Sequence, residues 1–141
     1  MKIKTLFAIL LFTLPAAAFA IDVPAAVKQS FAKQYPNVDM KTVTWEQEGN
    51  QYEAEFKIGE QSIDALYDAA GTLLETETSI DVNLLPAAIA DYVNRNCAAP
   101  VITSAEVKKD AAGTVKGYEI SACSTELEFD ASGNFVKEDK D

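Results

Sequence analysis

Tyr67-Asp68-Ala69-Ala70-Gly71-Thr72-Leu73-Leu74-Glu75 returns later in the chain as Phe129-Asp130-Ala131-Ser132-Gly133-Asn134-Phe135-Val136-Lys137. Each copy is an aromatic strand end, an Asp-x-x-Gly turn and a second apolar strand. The turn follows from its residue types: Asp bonds its own following backbone, and Gly takes the left-handed conformation at no steric cost. The same spacing recovers an upstream match, Val23-Pro24-Ala25-Ala26-Val27 against Leu85-Pro86-Ala87-Ala88-Ile89. Two matches at one spacing, each led by the same kind of element, define a tandem repeat.

Upstream of the repeat, the chain opens Met1-Lys2-Ile3-Lys4, runs apolar from Leu6 to Leu14 and closes on Ala18-Phe19-Ala20. A short basic region, a short apolar core and an Ala-x-Ala end describe a cleaved secretory signal over residues 1–20. The apolar run falls short of the about 20 residues that a bilayer span needs. No Cys follows it to carry a lipid. A periplasmic or secreted protein, cleaved near Ala20, is therefore expected. Residues 21–79 then form the first repeat and 80–141 the second. At roughly 60 residues each repeat is marginal alone, so the two are expected to fuse into one compact domain with a shared core.

Loss of Lys2 and Lys4 with the leader takes the formal net charge from −10 to −12. That charge argues against nucleic acid and against insertion at an anionic membrane surface, both of which need a basic face. It suits a basic protein partner, and it also keeps an exported protein soluble.

The chain between the repeated motifs reads as helix and strand. Val23, Val27, Phe31 and Tyr35 recur every fourth residue, the apolar stripe of a helix with Asp22 as its cap and Pro24 in its first turn. Leu85, Ile89, Val93 and Cys97 repeat that stripe. Alternation predicts strands over Thr42–Gln47, Gln51–Ile58, Ser62–Tyr67 and Thr72–Thr78 in the first repeat. In the second it predicts Ile102–Lys109, Tyr118–Cys123, Thr125–Phe129 and a last strand to Glu138, with a frayed tail of Asp139-Lys140-Asp141. The fold class is α+β: two tandem α-β-β-β-β repeats, an antiparallel sheet with the helices on one face.

Val-Pro-Ala-Ala-Val, then Val43-x-Trp45-Glu46, Tyr52-Glu-Ala-Glu-Phe56 and Tyr67-Asp-x-x-Gly with Glu75-Thr-Glu77, resemble the PepSY-like domain family. That family is named for its likeness to the beta-lactamase inhibitor protein. The resemblance covers essentially Ile21 to Asp141, closely in the first repeat and more loosely in the second. There Val107 stands where the first repeat has Trp, and the Cys pair is extra. It implies the helix-plus-four-strand unit twice over, in one continuous sheet. It also implies a periplasmic binding role, including inhibition of a periplasmic or secreted enzyme.

Catalytic and metal chemistry find little footing. The chain has 0 His, which removes the commonest general base and metal ligand. Ser30-Phe31-Ala32-Lys33 matches a Ser-x-x-Lys pattern, but no Ser-Asp-Asn or Lys-Thr-Gly follows it, and Ser30 belongs to an ordinary helical stripe. Asp68, Asp110 and Asp130 each open an Asp-x-x-Gly turn with one carboxylate apiece, which is turn chemistry and not a calcium loop. No catalytic residue, cofactor or metal is expected. The two cysteines have two readings, free buried thiols or a bridge. Geometry favours a Cys97–Cys123 disulfide: the second helix ends where the strand from Ile102 must begin, and its antiparallel neighbour finishes there too.

The remaining signal is acidic. Glu53-Glu55, Glu75-Glu77 and Glu126-Glu128-Asp130 put carboxylates at every second residue, hence on one sheet face. The ordinary reading is the solvated side of a one-sided sheet. The other is a working surface, because helices can cover only one face. Val43, Trp45, Tyr52, Phe56 and Ile63 alternate toward the helices. Glu46, Glu53, Glu55 and Asp64, joined by Glu119, Glu126 and Glu128, are expected on the open face, as the contact for an unidentified, basic protein partner. The alternative function is an acidic scavenger of small cationic ligands or metal ions.

Overall fold

The computed structural model describes residues 21–139, so the expected leader and the Lys140-Asp141 end of the tail lie outside the described residues. In chain order come α1 (Ala25–Gln34), β1 (Thr44–Glu48), β2 (Gln51–Ile58), β3 (Gln61–Asp68), β4 (Leu73–Ser79), α2 (Ala87–Asn96), β5 (Ile102–Asp110), β6 (Val115–Ala122), β7 (Thr125–Asp130) and β8 (Phe135–Asp139). The eight strands make one antiparallel sheet in sequence order. This is the α+β architecture of two helix-plus-four-strand units. They meet edge to edge, β4 pairing with β5 from Glu75 opposite Asp110 to Ser79 opposite Glu106.

Both helices lie on one face. The register runs Ile63, Thr78, Val107, Tyr118, Phe129 across five strands, and neighbours across a ladder share a face. Ile63 belongs to the cluster that α1 closes with Val27 and Phe31, and Phe129 to the cluster that α2 closes with Ile89 and Val93. Two apolar clusters lie on this face, one under each helix, with the β4–β5 ladder between them. Phe56 and Ile63 are buried as the alternation requires, while Val43, Trp45 and Tyr52 are half-buried against the first cluster. Ile58, in phase with them, ends β2 and is 48% exposed.

The two repeated motifs touch each other, which explains why they share one spacing. Gly71, at φ +83°, lies so close to α1 that an added Cβ would sit 2.6 Å from the Ala26 carbonyl oxygen. Gly133, at φ +85°, lies in the same way beneath Pro86, Ala88 and Ile89. The small Pro-Ala-Ala turn and the glycine of Asp-x-x-Gly are thus two sides of one contact in each repeat. In all three such turns the Asp Oδ1 accepts from backbone N–H groups two and four residues on: Ala70 and Thr72, Ala112 and Thr114, Ser132 and Asn134. Those bonds, preceded at Asp130 by one from the Asn134 side-chain amide, favour the ionised form and hold Asp68, Asp110 and Asp130 below the usual carboxylate range.

Three local expectations need correction. Asp22 does not cap α1; both helices start after Pro24 or Pro86, with no side-chain cap. The first strand begins at Thr44, because Asp39 caps a 3-10 turn over Met40–Thr42 through the Lys41 N–H, and the Thr42 hydroxyl donates to the Asp39 carbonyl. Asp139 is not part of a frayed tail; it closes the β7–β8 ladder opposite Glu126. The Cys97–Cys123 bridge is present, with Cα atoms 5.1 Å apart.

Candidate functional site

Register places the carboxylates before their side chains are considered. Glu46, Glu53, Leu66, Glu75 and Asp110 form one row across β1 to β5. The next row is Glu55, Asp64, Glu77, Lys108 and Gly117. A third runs Ser79, Glu106, Glu119, Glu128 and Lys137. All three rows are out of phase with the buried positions, so they occupy the face away from the helices. Every one of the seven expected carboxylates is there. Glu53, Glu55 and Asp64 come together, and Glu46 adjoins Glu53 on the edge strand. Glu119 and Glu128 stand opposite each other, and Glu126 lies one row further on, between Ser121 and Asp139.

The face is less solvated than alternation implies. All seven acidic side chains are half-buried rather than exposed. Burial, then the neighbouring Asp64, Glu77, Glu48 and Glu55 carboxylates, pushes Glu53 up to about 8. Burial first, then Asp64 and Glu46, pushes Glu55 to about 7. Asp64 goes to about 6 by burial and then Glu77, Glu119 and Glu46. The Glu55 Oε1 atom is buried with no hydrogen-bond partner. Near neutral pH this half of the face holds protons that isolated carboxylates would release.

The second half is organised by a residue the sequence reading missed. Lys108 is only 7% exposed. Its Nζ lies 2.7 Å from Glu119 Oε2, 3.0 Å from Glu77 Oε1 and 3.4 Å from Glu128 Oε1. Lys137 approaches Glu128 as well, at 3.3 Å. Burial opposes the Lys108 charge, but the Glu77 and Glu119 carboxylates outweigh it and its pKa rises. Glu106 is pushed up to about 7 by burial and by Glu77, Asp64 and Glu119, against a smaller opposing pull from Lys108. Carboxylate oxygens of Glu77, Glu106 and Glu119 all lie within 4.8 Å of one another. The cation at that group is the chain's own ammonium. The signal for Lys108 was available: with Val107 facing the helices, Glu106 and Lys108 must face the carboxylates.

Ser30 is half-buried on α1, within 2.9 Å of the position a Gly71 Cβ would take, and so serves the helix–turn contact. Among the described residues, no helix is long and apolar enough to cross a membrane.

Fold and site together define a tandem α-β-β-β-β protein with one helix-covered and one acidic sheet face. The family described as "Putative beta-lactamase-inhibitor-like, PepSY-like" matches residues 16–75 and again 50–137, and the chain belongs to it. Among solved structures the chain is similar to a BLIP-like protein from Bacteroides fragilis: TM-score 0.57, 21% identity, 82% of this chain and 85% of that one. It is also similar to a DUF2874 family protein from Bacteroides uniformis, at TM-score 0.62 and 15% identity over 82% and 88% of the two chains. A third, from Bacteroides eggerthii and described as among "putative periplasmic proteins", aligns with TM-score 0.67 and 14% identity over 83% and 88%. At these identities the likeness establishes the fold. No curated protein matches the chain.

Proposed function

We propose that this chain is an exported, non-enzymatic protein-binding module whose acidic sheet face docks a basic partner, in the manner of an inhibitor of a periplasmic or secreted enzyme. The observation that carries the reading is the uncovered face itself. Every charged neighbour that shifts Glu53, Glu55 and Asp64 is another carboxylate. Ionising these carboxyls costs the fold free energy, and a cationic surface laid on the face offsets that cost. Membership of a family described as beta-lactamase-inhibitor-like supports the inhibitory form of the reading, and a periplasmic description of a structural neighbour supports the compartment.

Cross-linking in the native periplasm, followed by mass spectrometry, tests it. The wild-type chain should capture one stoichiometric protein, and the Glu53→Lys/Glu55→Lys variant should lose it while melting no lower. A doubly reversed variant that still captures the same protein moves the site to the loops. Calorimetric titration with calcium and with spermine separates the alternative of a small-cation scavenger, which alone predicts saturable binding of those ions.

A further inference from the structure

Two-residue hairpin loops in this chain come in two forms. Gly49-Asn50 and Gly59-Glu60 each use a single left-handed residue, and glycine supplies it at φ +61° and +63°. The β6–β7 loop is different. Cys123 and Ser124 are both left-handed, at φ +56° and +63°, and they are the positive-φ non-glycine residues of the described chain. Two consecutive left-handed residues are the pattern of a type I′ turn, which Asn-Gly or Gly-Gly adopts readily. A residue with a Cβ is disfavoured there, so Cys-Ser by itself is a poor choice for this turn. One of these two residues is the one bonded to Cys97.

The other end of the bridge is firmly placed. Cys97 closes α2, donating its N–H to the Val93 carbonyl at 2.9 Å, and Val93 is buried in the second apolar cluster. The bridge therefore ties an unfavourable turn to a packed helix. The turn in turn sets the ladder: Ala122 pairs with Thr125, and from there Glu119 falls opposite Glu128. Both carboxylates reach Lys108 only in that register. A slip of one residue would send each side chain to the opposite face.

We infer that the Cys97–Cys123 bridge is a redox-sensitive clasp, which holds the Cys123-Ser124 turn left-handed and so fixes the β6–β7 register that gathers Glu119 and Glu128 around Lys108. Cys123 is exposed at the hairpin tip, where a dithiol reductant can reach it. One thiolate of the reductant attacks the Cys123 sulfur and releases Cys97 as a thiolate, which takes up a proton. The second thiol of the reductant then displaces Cys123. The reductant leaves as its own disulfide, and the protein carries two thiols, two electrons and two protons richer. With the bridge open, only the ladder and the apolar cluster beneath it oppose the cost of two left-handed side-chain-bearing residues, and the hairpin changes its turn and register more readily. The first repeat, whose loops use glycine, has no such dependence.

Amide hydrogen exchange on the full mature chain tests this, read strand by strand with and without dithiothreitol. On reduction, protection in β6 and β7 should fall by about tenfold or more, while β2 and β3 hold theirs. A Cys97→Ser/Cys123→Ser variant should match the reduced protein. The deciding variant combines Cys97→Ser with Cys123→Asn and Ser124→Gly, which removes the bridge and installs a turn that favours the same conformation. It should recover most of the lost protection in β6 and β7, and it should be indifferent to reductant. Unchanged protection in β6 and β7 on reduction overturns the inference. Equal loss in both repeats overturns it too, because the bridge would then be a general staple. An Asn-Gly variant no better protected than the double-serine variant shows that the turn is not what the bridge holds.

Discussion

Under α1 the first repeat gathers rings: Phe31 meets Phe56, Tyr35 and Trp45 at centroid distances of 5.0, 5.2 and 5.5 Å. Under α2 the second repeat sets aliphatic side chains, Ile89 and Val93 with Ile120 and Leu127, beside a separate ring group of Tyr92 with Phe129 and Phe135 at 5.4 and 4.7 Å, and adds a disulfide from the helix end. The opposite face divides along the same line. Lys108 and Lys137 supply ammonium groups to Glu119 and Glu128 of the second repeat, and Lys108 reaches across to Glu77 on β4, whereas Glu53, Glu55 and Asp64 of the first repeat stand against one another. One unit is stapled and pairs its carboxylates with ammonium groups, and the other has no staple and sets its carboxyls against one another, where they hold their protons to higher pH. The difference teaches that duplicated units need not share the work equally.

The most drastic way to break this comparison is to separate the units. Residues 21–79 alone lose the β5 partner of β4 and have no staple, so they should be largely unfolded; residues 80–141, oxidised, should retain more structure. Circular dichroism and a thermal melt of each fragment decide it. If 21–79 melts cooperatively at the temperature of the whole protein, the first repeat needs no support from the second.

Phe31→Ala comes next in size. The ring is 0% exposed and touches three others, so its loss should cost about 3–5 kcal/mol by the usual range for large buried truncations. Chemical denaturation reads the value. A cost near 1 kcal/mol would mean that the aromatic cluster is not what holds α1.

Lys108→Met tests the neutralised face. Removing one partner of a buried ion group leaves Glu77, Glu119 and Glu128 facing one another, at a cost of about 3 kcal/mol near neutral pH. Chemical denaturation of the variant against wild type reads the value. A variant as stable as wild type at pH 7 would show that the ammonium is dispensable.

How much of this was legible beforehand follows from which physical signals are local. The repeated Asp-x-x-Gly turns, the four-residue apolar stripes and the period-two alternation from Tyr52 to Phe56 each act over a few residues, and each is found where the pattern put it. The seven carboxylates landed on the open face because alternation fixes a face without knowing a strand's neighbours. Lys108 was missed for the complementary reason. Its burial comes from Glu77, Glu119 and Glu128, which lie on other strands, and lysine is by default an exposed residue. The start of β1 was misplaced because Thr42 and Val43 favour strands, whereas the Asp39 cap overrides them locally. The raised pKa of Glu53 was invisible because it depends on burial and then on the Asp64 and Glu77 carboxylates, which lie on other strands.

The smallest expected effect concerns the un-neutralised face and has an unusual sign. A carboxyl whose folded-state pKa is raised binds a proton that the unfolded chain releases. Its favourable contribution is present below its ordinary value, near 4.5 for Glu, and is lost as pH rises through the folded value. For Asp64, Glu55, Glu106 and Glu53 those folded values are about 6, 7, 7 and 8. Stability should therefore decline between about pH 5 and pH 9. The turn residues Asp68, Asp110 and Asp130, whose pKa values are lowered, act the other way and matter only at more acid pH. Glu53→Gln removes the charge and keeps the shape, so it should stabilise the protein at pH 8 by about 1 kcal/mol, allowing for solvent screening of a half-buried group. At pH 5 it should change little. The corresponding Glu119→Gln, in the neutralised half, should destabilise at pH 8, because it weakens the hold on Lys108. Melting temperatures of the two variants across pH 5 to 9 give the test. If both shift in the same direction at pH 8, the two halves of the face are electrostatically alike and the division of labour between the repeats fails.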